Sequence, residues 1–447
     1  MKQRHWQHSI ISTAVCAVVT GLAAGTAAAS GFALIEQSGS GLGNAYAGGA
    51  AAAEDASTIF FNPAGLTRIQ GRQMAVAAHA IKPSAKFSNA GSTTAAATAQ
   101  PGGNGGDAGD WSLVPNFYYA MDINPKLKFG FGLHVPFGLK TEYDNGWVGR
   151  YHALKSEVQT INLNPTIAYQ VNDTVSLGLG LSAQRAEAEL TKAIDFSSIC
   201  LGLFGAGCAG LGLSTPGNVA MDGAVKIKGD DWGYGFNLGA LFNINPSTRI
   251  GVAYRSNIKH ELSGNANYSN VPGAFAASPT FTNTSVKASV NLPETVSVSA
   301  FHQLNPKWAL MGDVTWTRWS RFNELRIRFD NGAADNVTPE NWKNTYRVSF
   351  GATQRYNDQW QSRIGVAYDQ TPVKDEFRTP RIPDQSRTWL ALGATYNFSS
   401  KSALDFGYAY LSFKDPSIND NEAGAGRLKG NYESNVNILS VQYTRSF

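Results

Sequence analysis

The sequence predicts an all-β fold: a 14-stranded antiparallel transmembrane β-barrel with an N-terminal hatch (plug) inside the lumen. Three observations predict it. Runs of alternating apolar and polar residues recur down the chain, six short turn signals separate them in pairs, and a prefix, Ser30 to Gly65, follows neither pattern.

The first element is a signal peptide, residues 1–29. Lys2 and Arg4 precede an apolar stretch from Ile10 to Val19 and a small-residue site, Ala27-Ala28-Ala29, after which cleavage is expected. No other segment approaches the ~18 apolar residues of a membrane-crossing helix, and the mean hydropathy is −0.22. A soluble secreted β-protein of this length could bury an ample core, so the membrane reading rests on the strands. Of 37 Lys and Arg, two leave with the signal, against 33 Asp and Glu. That near-neutral balance predicts no nucleic-acid partner.

Residues 30–69 form the expected hatch. The segment is rich in Gly, Ala and Ser and poor in charge, which suits packing inside a barrel rather than spanning its wall. Asn62-Pro63-Ala64 is expected to end a short helical piece after Glu54-Asp55 and to anchor the hatch near the wall. A fixed plug and a gated one would contain the same residues.

Residues 70–447 are the expected barrel. The turns are Asn124-Pro125, Asn172-Asp173, Asn245-Pro246, Asn305-Pro306, Asn357-Asp358 and Ser399-Ser400. They join twelve strands, and one more at each end makes fourteen. The connections between successive turns are longer, the asymmetry of outer-membrane barrels. Alternation assigns the faces: Leu177, Leu179 and Leu181 outward against Ser176, Gly178, Gly180 and Ser182; Tyr346, Val348 and Phe350 outward against Lys343, Thr345, Arg347 and Ser349. A soluble sandwich also alternates, but it turns the apolar face inward and lacks the turn asymmetry. The last strand closes on VQYTRSF with aromatic Phe447, a signal for the barrel-assembly machinery, and the wall is expected to meet outer-membrane lipid and lipopolysaccharide.

Several residues are candidates for chemistry. In the third strand, Phe129, Phe131, Leu133, Val135 and Phe137 are placed outward, and Pro136, between Gly132 and Gly138, predicts a bulge or kink. The loop after strand five holds Phe196, Leu201, Leu203, Phe204 and Leu211, too many apolar residues for a solvated loop, with Phe275 in the partner loop. These predict a hydrophobic binding groove, or a loop packed on itself. Cys200 and Cys208, left after Cys16 departs with the signal, are expected to pair. Lys343 and Arg347 share lumen parity, and Lys192 keeps it at the top of strand five. Either a bound anion or a lumen acid could pair with such a cation. The remaining histidines are scattered and no Ser-His-acid set is visible, so neither an enzyme nor any metal or other cofactor is expected.

The chain resembles the FadL family of outer-membrane long-chain fatty acid transporters, which includes TodX-like aromatic hydrocarbon channels. The resemblance lies in SGFALIEQSGSGLGNAYAG, FNPAG (Phe61 to Gly65), GLKTEYDNGWVGRY (Gly138 to Tyr151), GDDWGYGFNLGALF (Gly229 to Phe242), NLPETVSVSAFHQLNPKWAL (Asn291 to Leu310) and RIPDQSRTWLALGATYNF (Arg381 to Phe398). It implies passive, ligand-gated uptake of long-chain fatty acids, or alternatively of hydrocarbons, across the outer membrane of a Gram-negative bacterium. Ligand would be captured between two extracellular loops and pass to an inner pocket touched by Phe32 and Leu34. It would meet basic residues matching Lys343 and Lys192, and leave sideways at the third-strand kink.

Overall fold

The computed structural model describes residues 30–447, so the predicted signal lies outside the described residues. A single sheet of fourteen antiparallel strands closes on itself. In chain order they are β1 Arg72–Asn89, β2 Ser112–Asp122, β3 Leu127–His134 resuming as Gly138–Glu142, β4 Lys155–Gln170, β5 Val175–Ile194, β6 Gly223–Asn245 and β7 Thr248–Arg255 with Ile258–Ser269. There follow β8 Thr284–Leu292 with Thr295–Asn305, β9 Trp308–Thr317, β10 Thr345–Arg355, β11 Trp360–Asp369, β12 Arg387–Ser399, β13 Ser402–Phe413 and β14 Gly426–Ser446. Each pairs with its neighbours, and β14 closes on β1 from Gln73↔Ser446 to Asn89↔Gly430. Closure leaves no edge strand, the condition for a sheet in lipid.

The six turns fall where the sequence places them, for a local reason. In four of them an asparagine carboxamide accepts two backbone N–H groups just ahead: Asn124 from Lys126 and Leu127, Asn172 from Thr174 and Val175, Asn305 from Lys307 and Trp308, and Asn357 from Gln359 and Trp360. Each closes the hairpin within its own residues. The faces also follow the alternation. Leu177, Leu179, Leu181, Tyr346, Phe350, Leu390 and Leu392 are exposed on the outer wall, while Asn162, Asn164 and Thr166 are buried within.

β3 is broken. Its ladder with β4 runs to His134↔Asn162 and resumes at Gly138↔Gln159, so three residues of β3 face two of β4. On the other side, pairing with β2 stops at Phe117↔Leu133 although β2 begins at Ser112. A seam therefore opens between β2 and β3 above that pair. The break corrects two sequence expectations. Val135 and Phe137 are buried rather than outward, because the extra residue turns the chain and swings Phe137 inside. Gly132 belongs to the regular ladder, opposite Tyr118 and Asn164; a side chain there would press on Ile59 of the N-terminal segment.

Residues 30–69 pack against the inner face of the wall. A helical turn, Thr58–Phe61, ends at Asn62, and a 3-10 turn runs Pro63–Arg68. Asn62 donates to Ala50 O at 2.7 Å and to Ala240 O of β6 at 2.9 Å, while its carbonyl accepts from Ala64 N. Room for this comes from glycine in the wall: a Cβ on Gly239 would strike the Asn62 carboxamide, and one on Gly178 would strike the Pro63–Ala64 peptide. More bonds arrive from around the barrel. Arg347 donates to Ala45 O, Arg249 to Ala51 O and Ala52 O, Arg255 to Phe60 O, and Arg363 pairs with Glu54 at 2.9 Å.

Candidate ligand-binding route

At the loop end, helix α1, Phe196–Phe204, follows β5 and is capped by Asp195, which accepts from Ser198 N. Cys200 and Cys208 are bonded, with 5.9 Å between their Cα atoms. The apolar loop residues divide into two sets. Phe196 and Phe275 are buried on one another, ring centroids 5.1 Å apart, so this half packs on itself. Leu201 is partly buried against the same cluster. Leu203, Phe204 and Leu211 are 65, 57 and 48% exposed.

Three cavities lead inward. A vestibule of about 400 Å³ lies under the loops, lined by Lys192, Ile199 and Phe281 among others. It shares Leu190, Ile227, Leu325, Ile327 and Arg381 with an inner cavity of about 90 Å³, lined mostly by apolar residues, many of them from β4 to β8. A third cavity, about 130 Å³, lies against the hatch and includes Leu34, Phe61, Pro136 and Phe137.

An aromatic cluster that includes Phe32 lies between the second cavity and the third. Phe32 lines the inner cavity, while its neighbours Ala33 and Leu34 line the lower one. Its ring sits in that cluster, 5.9 Å from Phe137, 5.0 Å from Trp319, 5.8 Å from Phe322 and 5.7 Å from Trp342. The backbone on either side is stitched to the broken strand: Gly138 N donates to Phe32 O at 2.9 Å, and Leu34 N to Pro136 O at 2.8 Å. The hatch thus occupies the backbone groups that the break in β3 leaves free.

The cations fall differently from their sequence parity. Lys343 is exposed and precedes β10, and it lines none of the three cavities; the strand starts at Thr345, so alternation does not extend to it, and Trp342 takes the inward position. Lys192 does line the vestibule, but its ammonium lies 2.7 Å from Glu422. Arg347 is buried in the lower cavity, with its guanidinium 5.0 Å above the Trp389 ring. The sequence reading missed Arg381. It lies in the RIPDQSR stretch but in a loop, where strand parity says nothing, and it lines both upper cavities. Among the described residues, the acids that line the inner cavity are Glu187 and Glu340. Burial pushes the Glu340 carboxyl up to about 8, and it accepts from Trp342 Nε1 at 2.8 Å.

Comparison with known proteins places this architecture. Residues 20–447 match the family model described as outer membrane protein transport protein (OMPP1/FadL/TodX). The long-chain fatty acid transport protein of Escherichia coli is 31% identical, covering 93% of this chain and 95% of that protein. A crystal structure of a Pseudomonas aeruginosa FadL homologue superposes with a TM-score of 0.85 at 27% identity, over 93% of this chain and all of that one. The Pseudomonas putida toluene transporter TodX shares the fold, with a TM-score of 0.68 at 17% identity over 94% of this chain and 100% of that one.

Proposed function

The chain belongs to the OMPP1/FadL/TodX family of outer-membrane transport proteins, and on that premise we propose that it carries hydrophobic compounds, long-chain fatty acids first among them, passively across the outer membrane. Ligand adsorbs on Leu203, Phe204 and Leu211, enters the vestibule, and settles its alkyl chain in the inner cavity. Burying each CH₂ there contributes about 0.8 kcal/mol. Displacement of Phe32 then joins the inner cavity to the lower one, and the ligand leaves through the seam between β2 and β3 into the bilayer. Neither a nucleotide nor an ion gradient is used at the barrel.

The observation that carries this reading is the position of Phe32. Phe32 lines the inner cavity while Ala33 and Leu34 line the lower one, and the same arm closes the broken strand. A single shift of that arm would open both the floor of the pocket and the seam. The apolar lining of the inner cavity also suits a hydrocarbon, which needs no counter-charge, and this is the second reading. Binding of oleate, methyl oleate and toluene to the purified barrel separates them: preference for oleate is expected, and equal affinity for all three would favour the hydrocarbon channel. The exit is tested by deleting Pro136, which restores equal residue counts across the break. Uptake should be abolished with binding retained; uptake at the wild-type rate would rule out the lateral path.

A further inference from the structure

A carboxylate moving from the vestibule into the inner cavity leaves water for an aliphatic wall, which costs several kcal/mol unless a cation meets it. We propose that Arg381, at the junction of the two cavities, is the group that receives it and makes the route selective for fatty acids. The proposal rests on the uptake reading above and names the recognition element within it.

Four observations support it. Arg381 lies on the boundary itself, lining both the vestibule and the inner cavity. Its guanidinium is held in place rather than used up: Nη1 donates to Ser156 Oγ at 3.0 Å and Nη2 to His152 O at 2.9 Å. A guanidinium has five N–H donors in a planar fork matched to a carboxylate, so donors remain. Among the described residues no carboxylate comes within 4.0 Å of it, and each nearby acid is engaged elsewhere. Glu422 binds Lys192 at 2.7 Å, Asp420 binds His152 at 3.1 Å, and Glu340 takes the Trp342 N–H. Burial pushes the Glu340 carboxyl up to about 8, which disfavours its charged form beside Arg381.

The other cations are placed less well for this step. Lys192 would have to give up Glu422, Lys343 is exposed, and Arg347 lies beyond the Phe32 cluster with Nη2 on Ala45 O. With Arg381 as the receptor, the head group stays at the vestibule end while the alkyl chain points down toward Phe32. A ligand long enough to press on Phe32 would be sensed by its tail.

The test is equilibrium binding of oleate and methyl oleate to purified wild type, Arg381→Gln and Arg381→Lys. Wild type should prefer oleate at least tenfold. Arg381→Gln should bring oleate down to the affinity of the ester, and Arg381→Lys should recover part of the difference. Methyl oleate, which does not need the cation, should bind all three proteins within about twofold, which also shows that the variants are folded. Retained oleate preference in Arg381→Gln would overturn the proposal while leaving fatty acid uptake intact. Equal affinity for acid and ester in wild type would overturn it together with the carboxylate reading. Loss of ester binding along with oleate binding in both variants would show that Arg381 shapes the pocket instead, and would overturn it too.

Discussion

The hatch has two parts held by different chemistry. Residues 36–69 are bolted to the wall by side chains from many strands: Arg249, Arg255, Arg347 and Arg363 reach its carbonyls or Glu54, Gln442 reaches Asp55, and Asn237 reaches Ile59 O. Residues 30–35 are held at few points. Two backbone bonds join them to β3, Gly31 N donates to Asp384 at 3.1 Å, Ser30 Oγ donates to Gln370 O at 2.6 Å, and the buried Phe32 and Leu34 side chains supply the packing. Freeing the body would strip several buried charges and carbonyls of their partners at once, each at a cost of about 1–3 kcal/mol. Freeing the arm exposes two buried side chains, Phe32 and Leu34, and breaks a handful of bonds. If anything in the lumen moves on ligand binding, the difference points to the arm, with the body as its fixed seat.

The strongest way to break the comparison is Phe32→Ala. Truncating a buried phenylalanine costs about 3–5 kcal/mol of local packing, and here the inner cavity loses its floor. Oleate retention should weaken at least tenfold while thermal unfolding of the barrel stays near wild type, because the arm contributes little to the wall. A large fall in melting temperature would mean that arm and body are one unit. Gly239→Val tests the body. Overpacking against Asn62 costs about 1–3 kcal/mol, so the melting temperature should fall and the outer membrane should admit large polar antibiotics. An unchanged barrier would show that the Asn62 seat is not what holds the body.

Much of this was legible in the residues, and the reasons differ by region. The barrel was, because hairpin turns are local: an asparagine that accepts from the amides two and three residues ahead marks a turn wherever it occurs. The seat of the hatch was partly legible. The sequence points to Asn62-Pro63-Ala64, but its partners Gly178 and Gly239 lie over a hundred residues away, and only lumen parity marks them. The site was less so. Alternation assigns a face only while the strand lasts, which is why Lys343 was misplaced ahead of Thr345 and why Phe137, past the bulge, faces in rather than out. Arg381 lies in a loop whose course is set by Ser156 and by the backbone of His152, contacts between segments over two hundred residues apart. No pattern along the chain encodes them.

The smallest effect is also the most direct reading of how the arm is held. Ser30→Ala removes one neutral hydrogen bond, to Gln370 O, and such a bond contributes about 1 kcal/mol net. The two backbone bonds to β3, the Gly31 bond to Asp384 and the Phe32 cluster all remain, so the closed arm stays dominant. What changes is the population of the open arm, by a factor of about five for 1 kcal/mol. If arm opening limits transport, the initial rate of oleate uptake at saturating ligand should rise by up to that factor, with oleate affinity and barrel melting both unchanged. A rate that does not move, in a variant whose ligand binding is intact, would place the limiting step elsewhere and leave the arm as static as the body beneath it.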